Sequence, residues 1–109
     1  MELPIDNQQV LVESHWWRFD KVILQARMIG NKVLIIFDYM AYPNVPPAPN
    51  LVAYDQNQKE LWIAENPGGG AAAYVNFISE EPLKVWNFSC FICTLDPKTG
   101  KLLEAEFTK

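Results

Sequence analysis

The run Val22-Ile23-Leu24-Gln25-Ala26-Arg27-Met28-Ile29-Gly30-Asn31-Lys32-Val33-Leu34-Ile35-Ile36-Phe37-Asp38-Tyr39 decides the fold class. Two apolar stretches flank Gly30-Asn31, a pair suited to a two-residue type II′ turn with glycine at the positive-φ position. Folding about that turn pairs Met28 with Val33, Arg27 with Leu34, Ala26 with Ile35, Gln25 with Ile36, Leu24 with Phe37, Ile23 with Asp38 and Val22 with Tyr39. One face then holds Val22, Leu24, Ala26, Met28, Val33, Ile35, Phe37 and Tyr39. The other holds Ile23, Gln25, Arg27, Leu34, Ile36 and Asp38. A one-residue slip would mix the two sets, so the sorting specifies a β-hairpin and its register. Leu24 and Phe37 are expected as cross-strand neighbours in the core, with Gln25 and Arg27 on the opposite face.

Three further hairpins follow by the same reasoning. Residues 51–54 and 60–63 flank Asp55-Gln56-Asn57-Gln58. Residues 74–79 and 83–87 flank Glu80-Glu81-Pro82. Residues 90–95 and 101–107 flank Asp96-Pro97-Lys98-Thr99-Gly100, where Asp opens a type I turn, Pro presets the next φ and Gly takes the left-handed position. Leu103, Ala105 and Phe107 alternate with Glu104 and Glu106, as a strand with one wet face should. Val10-Leu11-Val12 reads as a further short strand. Residues 12–21 carry the alternative of a short helix capped by Ser14. Residues 40–50 contain Pro43, Pro46, Pro47 and Pro49, which forbid helix and ladder alike and make a stiff loop. Residues 65–73 form a second loop. The expected architecture is all-β: one domain over residues 1–109, an antiparallel meander of about four hairpins curled into a sandwich or half-open barrel.

Composition narrows the function classes. The chain has 109 residues and a net charge of −4, with 9 Lys and Arg scattered singly. Phosphate backbones reward clustered positive charge, so nucleic-acid binding is not expected. The longest aliphatic–aromatic run, residues 33–37, is far short of the roughly twenty needed for a membrane helix. Met1-Glu2-Leu3-Pro4-Ile5-Asp6 lacks the basic start and apolar stretch of a signal peptide, so a cytoplasmic protein is expected.

Leu51-Val52-Ala53-Tyr54-Asp55 leading to Lys59-Glu60-Leu61-Trp62 is repeated by Ile92-Cys93-Thr94-Leu95-Asp96 leading to Lys101-Leu102-Leu103, through a turn one residue longer. This pattern resembles the hairpin of quinoprotein-type β-propeller repeats, over about a quarter of the chain. A propeller needs at least four blades of four strands, more than the eight or nine strands expected here, and the cofactor-site residues of those enzymes have no counterpart. The run Leu95-Asp96-Pro97-Lys98-Thr99-Gly100-Lys101 is similar to the hairpin that ends small uncharacterised bacterial proteins, a resemblance that implies no activity.

No catalytic or metal site is expected, and no cofactor. Cys90 and Cys93 have C-x-x-C spacing, but no helix within a βαβ pattern accompanies them, and two Cys with the lone His15 do not complete a zinc set. They read as reduced, packed thiols on opposite faces of a strand. Gly68-Gly69-Gly70 leads into a strand without a nearby Lys, so it reads as a linker and not a phosphate loop. What remains is aromatic surface. Trp16, Trp17, Tyr39 and Tyr42, with Asp38, are the candidate binding residues, because Trp and Tyr dominate interface hot spots. Replacing Tyr42 should weaken binding while leaving stability unchanged. The expected function is a small non-catalytic domain that binds and blocks a protein partner, in concrete form a bacterial immunity protein neutralising a basic toxin domain. One alternative is a ligand-binding or accessory domain with an internal pocket. A second is an enzyme with an unfamiliar site near Asp38 or His15.

Overall fold

A computed structural model of the chain describes residues 1–44, 47–67 and 72–108. Eleven strands there form three antiparallel sheets. β1 (Ile5–Asp6), β2 (Gln9–Val12) and β3 (His15–Arg18) make the first sheet. β4 (Ile23–Ile29), β5 (Lys32–Phe37), β6 (Leu51–Tyr54) and β7 (Glu60–Ile63) make the second, and β8 (Tyr74–Ser79), β9 (Lys84–Asn87), β10 (Phe91–Leu95) and β11 (Leu102–Phe107) the third. Each is a meander with its strands in chain order, and none closes into a barrel. The four expected hairpins are present. No helix among the described residues is long and apolar enough to cross a membrane.

The second sheet lies in the middle, and both its faces are covered. Val33, Ile35 and Phe37 pack with Ile23, Ala26 and Val52 against Val10, Val12 and Trp17 of the first sheet. Leu34, Ile36, Leu51 and Ala53 pack against Tyr74, Phe77, Val85, Cys93 and Leu95 of the third. The face of the 22–39 hairpin read as lying away from the core is therefore a second core face: Leu34 and Ile36 are fully buried.

The register holds from the Gly30-Asn31 turn outward through Met28–Val33, Arg27–Leu34, Ala26–Ile35 and Gln25–Ile36, with Gly30 at φ 62°. It then departs. Leu24 sits in a β-bulge, so Ile23 faces Phe37. Leu24 turns toward the third sheet, onto the side of Arg27, which lies over the Phe77 ring at 5.6 Å. The expected Leu24–Phe37 pair does not form. The bulge reverses the alternation, and the third sheet offers Leu24 apolar cover on its new side. Glu80, in the β8–β9 turn, accepts a hydrogen bond from Arg27 Nη1 at 3.0 Å and pairs with the Met1 amine. The amine, and then Arg27, hold its carboxyl below the usual carboxylate range.

Residues 12–21 form strand, not helix. Glu13 and Ser14 both adopt positive φ, 48° and 73°, in a two-residue turn that sets Val10 opposite Trp17 and Leu11 opposite Trp16. The repeat seen in the sequence is also structural. β4 and β8 carry a bulge at the same place, between Ile23 and Gln25 and between Tyr74 and Asn76. The β6–β7 and β10–β11 ladders share another, between Ala53 and Tyr54 and between Thr94 and Leu95.

The repeats dock through a specific contact. Trp62 on β7 lies on the β10–β11 turn, donating from Nε1 to the Pro97 carbonyl at 3.1 Å. Gly100 in that turn has φ 74°, and a Cβ there would stand 2.3 Å from Trp62 Cε3. Gly100→Ala combines backbone strain with overpacking, so it should cost about 2–4 kcal/mol in chemical denaturation.

Candidate functional site

Asp38 ends β5 and turns the chain into a single 3-10 turn, Tyr39–Ala41. Its carboxylate accepts a hydrogen bond from the Met40 N–H at 2.9 Å, and Ala41 and Tyr42 N–H bond back to Asp38 and Tyr39 carbonyls. Asp38 is thus a cap that shapes the loop. Capping leaves Met40 projecting, 72 % exposed. Tyr39 leans the other way, edge-on to Phe88 with ring centroids 4.7 Å apart, and Phe88 in turn meets Trp86 at 6.0 Å. Phe88, just beyond β9, is 42 % exposed. Tyr39 and Phe88 thus meet at the strand ends of the second and third sheets, and exposed Met40 follows Tyr39 in the turn.

Tyr42 lies against the first core cluster, half-buried beside Phe37 and Phe19. The Lys21 ammonium stands 5.7 Å from its ring and 5.9 Å from that of Phe37. Burial, with Asp20 and Glu60 adding to it, pushes the Tyr42 hydroxyl above its ordinary range. Lys21 holds the Asp20 carboxyl below its own. Replacing Tyr42 would therefore disturb packing as well as any binding, contrary to the expectation of unchanged stability.

The candidate residues are not all brought together. Trp17 is buried in the core between the first two sheets, so it is not a surface anchor. Trp16, its neighbour on β3, points to the outer side of the first sheet and is 50 % exposed. Tyr39 packs toward the third sheet, across the middle layer. Met40 and Phe88, both exposed, were missed. The signal for Phe88 lay in Trp86-Asn87-Phe88, where a second large aromatic follows the strand; Met40 is exposed on the turn that Asp38 caps. Pro46 and residues 68–71, including the glycine linker, lie outside the described residues.

The alternative sites are laid out as follows. His15 begins β3 on the first sheet, opposite Val12, while Asp38 follows β5 on the second. Cys93 is buried against Tyr74, and burial pushes its thiol up despite a hydrogen bond with the tyrosine. Cys90 precedes β10 at φ 67°, so strand alternation does not govern the pair; neither sulphur is bonded to the other. Among the described residues no group of three or more His, Cys, Asp or Glu is placed to hold a metal. An open depression lined by Glu2, Leu3, Pro4 and Ile5 sits on the N-terminal segment.

No curated protein and no solved structure matches the chain. A family model described as Domain of unknown function (DUF7957) matches residues 1–107. That span is nearly the whole sequence, and the chain belongs to the DUF7957 family.

Proposed function

We propose that this domain binds a protein partner and acts by occluding it, without turnover, and that in concrete form it is an immunity protein neutralising a toxin. The observation that carries this reading is the Tyr39–Phe88 ring contact with the exposed Met40 next to Tyr39 in the turn. Exposed aromatic and methionine side chains are enriched where proteins meet. Tyr39 and Phe88 are held by their ring contact, so these two have little side-chain freedom left to lose on binding. The net charge of −4 suits a basic partner, and association should slow as salt rises.

The test uses a toxin encoded beside the gene. Cells producing the toxin should survive only with this protein, and Met40→Ala combined with Phe88→Ala should weaken binding by about 2 kcal/mol or more. Because the Met40 side chain is largely exposed, the unfolding free energy of the Met40→Ala variant should stay within about 0.5 kcal/mol of the parent. Unchanged affinity in the double variant would remove Met40 and Phe88 from the interface. Turnover of a substrate that Asp38→Asn or His15→Ala abolishes would replace occlusion with catalysis.

A further inference from the structure

We draw no further inference here: the strongest candidate, the half-buried Tyr42–Tyr54 surface beside Phe19 and Phe37 where the first and second sheets meet, already holds a cation of its own in Lys21, whose ammonium pairs with Asp20, and nothing in the structure shows what else covers it.

Discussion

Replacing Asn50 with leucine should destabilise the protein by about 3–5 kcal/mol, although the two side chains are close in volume. Asn50 is fully buried. Its Nδ2 donates to the Phe37 carbonyl at 2.8 Å and to the Tyr74 carbonyl at 2.7 Å, and its Oδ1 accepts from the Tyr74 N–H at 3.0 Å. The side chain therefore joins the end of β5 to the start of β8, across the second and third sheets. Leucine would fill the space and strip two buried carbonyls and one buried N–H of a partner. Each loss costs about 1–3 kcal/mol when no water can substitute. Urea denaturation measures the loss directly; a loss below about 1 kcal/mol, the usual size for a tolerated change, would mean the three bonds contribute little. Because domains of this size are stable by only about 5–15 kcal/mol, the leucine variant should approach the limit of folding.

Phe37→Ala should cost a similar amount, about 3–5 kcal/mol, by a different route. Phe37 is buried between the first two sheets, edge-on to Phe19 at 5.3 Å, with the Lys21 ammonium over its ring. Truncation opens a cavity there that rigid sheets on both sides cannot close. Phe37→Leu should recover more than half of the loss, since most of the volume returns. Unfolding in urea with an unchanged m-value would place the effect in the native core. Asn50→Leu and Phe37→Ala share the Phe37 backbone, so the double variant should depart from additivity.

The two residues show which parts of the molecule were legible. Phe37 announces itself: it closes the Val33-Leu34-Ile35-Ile36-Phe37 run, and any folding of that hairpin buries it. Its cross-strand partner did not follow, because a bulge at Leu24 shifts Ile23 into that place. Bulges depend on what lies above and below a strand, and alternation along the strand does not record it. Asn50 gave no signal at all. In the sequence it is the polar residue that ends a proline-rich loop. Its role exists only because the third sheet brings Tyr74 beside Phe37.

The candidate site divides in the same way. Trp16 and Trp17 are adjacent on a strand, so one had to turn inward, but nothing local says which. The first sheet's docking on the second chose Trp17. Asp38 and Tyr39 were legible as an unusual polar pair ending a strand, yet their roles as cap and stacking partner come from Met40 and from Phe88, about fifty residues away in sequence.

By itself the sequence determined the strands of the four hairpins, the Gly30-Asn31 and Asp96–Gly100 turns, and the pairing of the 22–39 hairpin from Met28–Val33 to Gln25–Ile36. All of these rest on two-residue periodicity and on turn chemistry, which act between near neighbours. Tertiary structure alone decided that Leu34 and Ile36 are core residues, that Arg27 shares a side with Leu24, and that Tyr39 meets Phe88. A strand's alternation defines two faces; which of them becomes dry depends on whether another sheet covers it, and that cover comes from residues far along the chain.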